Sequence, residues 1–216
     1  MNAHTQLSVN PIRETLFGDM PINSWGNNIS ANEPWTLFAK ARTEMEKDNK
    51  QVAASILQQI IQMPALESRH YLQAHHFMHQ LGYRMDQEKQ LLGVVVEVAM
   101  PEGLDLLAAY SDYTARYYNY SGAGIVWESP NESINQEISQ VLQAGQVIMH
   151  RIGPWEGERL GAPKTGYGRI NLLTTEGLHF GEGPMNVLMN DTLGGSMLKA
   201  AIALMSRLID MTEVKK

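Results

Sequence analysis

Leu91-Leu-Gly-Val-Val-Val-Glu-Val-Ala-Met100 decides the fold. Before this stretch apolar residues recur every three to four positions, the period of a helix face. From Leu91 the pattern becomes a continuous apolar run, then alternating Tyr-rich segments as far as Tyr120. A helical part therefore meets a sheet near Gln90, and the Val-rich run is a strand covered on both faces.

Upstream, the periodicity predicts three helices. The first runs from about Pro34 to Lys47, with Asn32 or Glu33 as its cap and Pro34 in its first turn. Leu37, Phe38, Ala41 and Met45 share its face. The second runs from Lys50 to Gln62 and carries the stripe Val52, Ala53, Ile56, Leu57 and Ile60. The third opens at Pro64 and ends at Leu81, with Gly82 as the residue that closes it. Residues 34–84 then read as a helical subdomain whose paired helices resemble a single tetratricopeptide hairpin. Residues 1–33 read as an irregular arm, loose to Asn10 and then anchored by Leu16, Phe17, Ile22 and Trp25.

Downstream, Pro101-Glu102-Gly103 is a turn. Leu104–Tyr110 and Thr114–Tyr120 form a hairpin around Ser111-Asp112, and Gly124–Glu128 is a shorter strand. Asn131–Arg151 is an amphipathic helix whose stripe (Ile134, Ile138, Val141, Leu142, Gly145, Ile148, Met149, Ile152) falls within a sector of about 120°. A Pro/Gly loop, Gly153–Gly166, leads to a second hairpin, Tyr167–Thr174 and Leu178–Phe180. Gly181–Pro184 is a turn, a short helical segment follows to Met189, and a last helix covers about Leu193–Met211. Strands joined by short turns are antiparallel, so residues 90–212 are expected to form an α+β sheet domain with flanking helices. The order of elements resembles the profilin-like and roadblock-like folds in topology.

The bulk properties narrow the function. A formal net charge of −6 over 216 residues argues against a dedicated nucleic-acid binder. No membrane span is expected from the lack of a long apolar run, and the first residues have no signal-peptide character. The absence of cysteine excludes disulfides, thiolate nucleophiles and Cys-built zinc sites. A reducing cytoplasm is the simplest setting.

Five groups could carry chemistry. His75 and His79 lie one turn apart on the third helix, a spacing that lets two imidazoles reach one metal. No Glu follows His75, so the metalloprotease motif is missing, and a polar face against solvent or the sheet serves equally well. His76 shares their sector, and His70 points the other way. The loop Gly153-Pro-Trp-Glu-Gly-Glu-Arg159 offers Trp155 and Arg159, either to a ligand or as packing anchors. Around Gly177-Leu-His-Phe-Gly-Glu-Gly-Pro184, glycines bracket His179 and Glu182, and Arg169 stands on the preceding strand. Asp191-Thr-Leu-Gly-Gly-Ser196 reads as the start of the last helix, capped by Asp191 or Thr192, with no P-loop lysine. Tyr110, Tyr113, Tyr117, Tyr118 and Tyr120 make the strands amphipathic, with Tyr117, Tyr118 and Tyr120 as candidate interface residues. Ser, His and Asp are present without a nucleophile-elbow motif.

Several phrases occur together: Glu67-Ser-Arg-His-Tyr-Leu-Gln-Ala-His-His-Phe, Leu92-Gly-Val-Val-Val-Glu-Val, Gly103-Leu-Asp-Leu-Leu-Ala-Ala-Tyr, Ala115-Arg-Tyr-Tyr-Asn-Tyr-Ser-Gly and Gly177-Leu-His-Phe-Gly-Glu-Gly-Pro. With them the chain resembles an uncharacterised family of bacterial cytoplasmic proteins over most of residues 12–211. That resemblance implies a bacterial source and no catalytic residue. The expectation drawn is a non-catalytic interaction or adaptor protein. It self-associates, as a homo-oligomer, or binds a protein partner through a sheet edge or the Tyr-rich face. It needs no cofactor, nucleic acid or membrane. The alternative is a small-molecule or metal-dependent enzyme. Its pocket would lie between the helical part and the sheet and would use His75, His79, Arg159, Arg169, His179 or Glu182.

Overall fold

The computed structural model describes residues 11–22, 32–84, 88–128 and 132–213. Trp25 and the proposed helix start at Asn131 lie outside the described residues. Among the described residues there are seven helices and six strands: α1 (Pro11–Glu14), α2 (Trp35–Glu46), α3 (Lys50–Gln62), α4 (Ser68–Gln80), β1 (Leu91–Met100), β2 (Gly103–Tyr110), β3 (Ala115–Tyr118), β4 (Gly124–Trp127), α5 (Asn135–Met149), β5 (Tyr167–Thr174), β6 (Gly177–Pro184), α6 (Met185–Asn190) and α7 (Thr192–Glu213). The strands form one antiparallel sheet in the order β4-β3-β2-β1-β5-β6. The protein is α+β, with helices before and after the sheet strands.

The Val-rich run is β1, in the interior of the sheet. Val94 and Val96 face α5 and α7, where they join Ile138, Val141, Met149, Leu198 and Leu204. Leu92 and Val95 face the other way, onto Leu16, Phe17 and Leu72. Burial on both faces is why the run is continuous rather than alternating. A third apolar cluster holds α2, α3 and α4 together through Phe38, Ala41, Leu57, Ile60 and Phe77. Helix α4 serves both layers, with Leu72 toward the sheet and Ala74 and Phe77 toward α2 and α3.

Several local expectations are revised. Helix α2 starts at Trp35, and its first-turn amides are met by the backbone carbonyls of Asn32 and Pro34 rather than by a side-chain cap. On α3 the buried stripe is Ala53, Ala54, Leu57 and Ile60, and Val52 is exposed. Helix α4 begins at Ser68, not Pro64, because Ala65 takes a left-handed turn (φ 59°). Within the arm, Pro11–Glu14 form the short helix α1. Strand β6 extends to Pro184 instead of ending at Phe180. Close packing here depends on Gly168 of the paired strand β5, where a Cβ would lie 2.4 Å from the Met185 sulfur. Asp191 does cap α7, accepting from the amides of Leu193 and Gly194 through Oδ1. By length and composition the segment Thr192–Thr212 is apolar enough to cross a bilayer. Its Met197, Leu198, Ala201, Leu204 and Leu208 are packed into the core against the sheet.

A candidate ligand cleft beside a buried charge network

Glu97 interrupts the Val-rich strand on the face away from α5 and α7, and its side chain is 0% exposed. A carboxylate so placed must be paired and hydrogen-bonded. The register supplies the partners: Glu97 is opposite Arg169 on β5, and Arg169 is opposite Glu182 on β6. Arg169 donates through Nε to Glu182 at 2.7 Å, also through Nη2 to the same carboxylate, and through Nη1 to Glu97 at 3.4 Å. Asn171 donates to Glu97 at 3.0 Å. Arg13 of α1 closes the network from above, with Nε 2.5 Å from Glu97 Oε1 and Nη2 2.9 Å from the Leu160 carbonyl. Arg169 also donates to the Gly161 carbonyl at 2.7 Å. The network thus fastens both the arm and the loop after α5 to the sheet.

Arg159 repeats the device at the edge of the network. It donates to Asp19 (2.5 Å through Nε) and to Glu14 (2.5 Å through Nη2), and its guanidinium lies 4.1 Å from the centre of the Phe17 ring. Burial works against its charge, but Asp19 and Glu14 outweigh that and raise its pKa. Burial likewise pushes Glu14 up, and the opposing Arg159 and Arg13 bring it below the usual carboxylate range. Of the sequence candidates, Arg169 and Glu182 therefore meet each other, and Arg159 meets the arm. His179 is on the opposite face of the sheet, fully buried, with Nδ1 3.1 Å from the Ile152 carbonyl and Nε2 without a partner. These four side chains do not converge on one site.

A cleft of about 640 Å³ opens next to the network. Its walls are α4, the arm residues Phe17 to Asp19, the loop from Pro154 to Arg159, and the ends of β5 and β6. The arm is set against α4 by Gly18, which takes φ 62° and leaves no room for a side chain. A Cβ there would lie 2.6 Å from Leu72 Cβ. Leu72, Leu173 and Leu178 make the floor apolar, and His75, His76 and His79 enter from α4.

His75 is 4% exposed, and its Nδ1 has no hydrogen-bond partner. Burial, helped by the nearby His79, lowers its pKa to about 4, so the ring is neutral at physiological pH. Burial also lowers His79, with Arg84 adding to it and Glu176 opposing. It lowers His76 too, whose Nε2 is 2.9 Å from Gln80 Nε2. The rings of His75 and His79 are 6.5 Å apart and tilted by 49°. Among the described residues no group of three or more His, Cys, Asp or Glu is arranged to hold a metal ion.

Trp155 projects from the opposite wall and is 43% exposed. Its Nε1 donates to the Glu158 carbonyl at 2.9 Å, its backbone amide donates to Leu178, and the edge of the ring pair places Phe180 5.3 Å away. Gly157 lies under the indole, where a Cβ would be 2.9 Å from Nε1. The ring is held in place while much of it stays accessible.

The Tyr-rich segment is divided between roles. Tyr110 is fully buried, and its hydroxyl donates to the Leu16 carbonyl at 2.7 Å. Tyr117 and Tyr118 are half-buried on opposite faces of β3, and the Tyr117 hydroxyl donates to Asp105 at 3.1 Å. Tyr120 is 53% exposed.

Sequence reasoning placed His75, His79 and Arg159 in one pocket between the helical part and the sheet, together with Arg169, His179 and Glu182, and left Trp155 out of it; the cleft holds His75, His79, Arg159 and Trp155. It missed Arg13, Glu97 and Asp19. The available signal was Glu97, a lone charge inside an apolar strand, which requires a buried counter-charge. Comparison with protein-family models, with curated proteins and with solved structures finds no match for this chain.

Proposed function

We propose that this protein binds a small planar molecule in the cleft between α4 and the β5–β6 end of the sheet. The observation that carries this reading is His75, a buried imidazole whose Nδ1 lacks a partner, lining a cleft of about 640 Å³. A buried polar atom left unmet costs about 1–3 kcal/mol, a cost that a ligand hydrogen bond would remove. The volume is in the range of small-molecule sites, which combine apolar walls with a few placed polar groups. Trp155, already oriented, supplies a stacking surface. Arg84 at the rim makes no ion pair among the described residues and would favour an acidic substituent. With neutral imidazoles and no activated nucleophile beside them, binding is the reading, and catalysis is not assigned.

A protein-detected NMR titration with planar heterocycles (adenine, nicotinate and benzimidazole) tests it. Shifts clustered at residues 72–79, 154–158 and 173–178, weakened in His75→Leu and Trp155→Ala, are expected. Shifts elsewhere, or none from any of the set, would overturn the proposal.

A second reading, association through the sheet edge, is favoured by two exposed residues, Val126 on the edge strand β4 and Tyr120 in the turn that leads into it. Sedimentation analysis decides it: a strict monomer at all concentrations would end that reading.

A further inference from the structure

A second cavity, of about 200 Å³, lies on the other face of the sheet, under α7. Its walls are Val96, Val98 and Leu107 from the sheet and Leu198, Ala201 and Met205 from α7. Two further residues on its lining are polar, Asp105 and Tyr117, and they are bonded to each other through the Tyr117 hydroxyl. Asp105 also accepts the Tyr120 amide at 2.7 Å. Among the described residues no Lys, Arg or His forms an ion pair with Asp105. A carboxylate at an apolar cavity, without a counter-cation, is complementary to a cation that carries apolar bulk.

We propose that this cavity is a binding site for a small hydrophobic amine, whose ammonium donates to Asp105 and whose apolar body lies between Val98, Leu107 and Ala201. An apolar cavity of about 150 Å³ takes up benzene, so this one has room for an aromatic ring with a short aliphatic tail. The Tyr117 ring beside Asp105 offers a cation–π face. Methionines at Met185 and Met205 let the wall adapt to shape. Ile202, on the lining and 46% exposed, marks the opening to solvent, so entry does not require the sheet to separate. The site is independent of the cleft beside α4, from which the sheet divides it.

Calorimetric or NMR titration of the full chain with 2-phenylethylamine, 2-phenylethanol and 3-phenylpropionate tests the assignment. The amine is expected to bind at least about tenfold more tightly than the alcohol, a ratio typical of one charge-assisted hydrogen bond, and the carboxylate is expected not to bind. Asp105→Asn should erase the preference for the amine over the alcohol. Ala201→Leu should occlude the cavity and abolish binding, and Val98→Leu does the same from the sheet side should the first variant not fold. Equal affinity for amine and alcohol, no binding of the amine, or unchanged binding in both occluding variants would overturn the proposal.

Discussion

Replacing Glu97 by Gln keeps the shape of the side chain and removes its charge. In the native protein this carboxylate accepts from Arg13 Nε at 2.5 Å, Arg13 Nη2 at 3.3 Å, Asn171 Nδ2 at 3.0 Å and Arg169 Nη1 at 3.4 Å. Arg169 keeps Glu182 and the Gly161 carbonyl in the variant. Arg13, 4% exposed, keeps Glu14 at 3.2 Å and the Leu160 carbonyl. Removing one partner of a buried pair costs about 3–5 kcal/mol, and one retained amide hydrogen bond offsets about 1 kcal/mol, so a loss of about 3 kcal/mol is expected. In a chain of this size that lowers the melting temperature by about 6–12 °C. Denaturant titration measures the loss directly. Because Arg13 tethers the arm, the variant should also be cut faster by protease near residues 13–19. A double-mutant cycle with Arg13→Met should show that the two losses are not additive. A Glu97→Gln protein within about 0.5 kcal/mol of the native one would refute the account of the network as the fastening of arm to sheet, since surface substitutions alone stay inside that margin.

Further outcomes follow from the same contacts. Gly18→Ala places a Cβ 2.6 Å from Leu72 Cβ at φ 62°, so strain and overpacking together should cost about 3 kcal/mol in denaturant unfolding. Tyr110→Phe leaves the Leu16 carbonyl without its buried donor and should cost about 1–2 kcal/mol in the same assay. Stability should fall with acidification because of His75: below its ordinary value of 6.5 the unfolded chain takes a proton on this imidazole, while the folded chain takes it only near 4. The unfolded state therefore binds more protons across that window, and at most about 3 kcal/mol is lost as pH falls through it. His75→Leu should flatten that part of the stability profile, and an unchanged slope would mean that other groups set it.

The fold was legible where one physical cause governed a long segment. Burial of β1 on both faces made its apolar run continuous, and burial of α5 on one face made its stripe periodic. Legibility failed where the cause was a distant partner. Val52 fits the helical stripe of α3 as well as Ala54 does, and the packing of α2 against α3 turns it outward. Glycines at the spacing of Gly181 and Gly183 suggest a turn after Phe180. What carries β6 on to Pro184 is its pairing with β5, including Arg169 against Glu182. Those two ligand-binding candidates are opposite charges directly across from one another on adjacent strands, and in the fold each is the other's partner.

The cleft shows the same limit more sharply. Its histidines, His75, His76 and His79, come from one helix, so their common face could be read from a helical period alone. The wall they face could not be read that way, because it is brought there by ion pairs that span 84 residues from Arg13 to Glu97 and 145 from Glu14 to Arg159. The charge network and the candidate ligand site are therefore one construction. Arg159, with Phe17 under its guanidinium and Asp19 at its Nε, lines the cleft, while Arg13 holds the same segment to Glu97. A change at Glu97 should thus be felt in the cleft through the arm, although Glu97 itself is not part of its lining. Rigid support from beneath, by residues that a ligand never touches, is what lets a wall built from a loop and an arm hold a fixed shape.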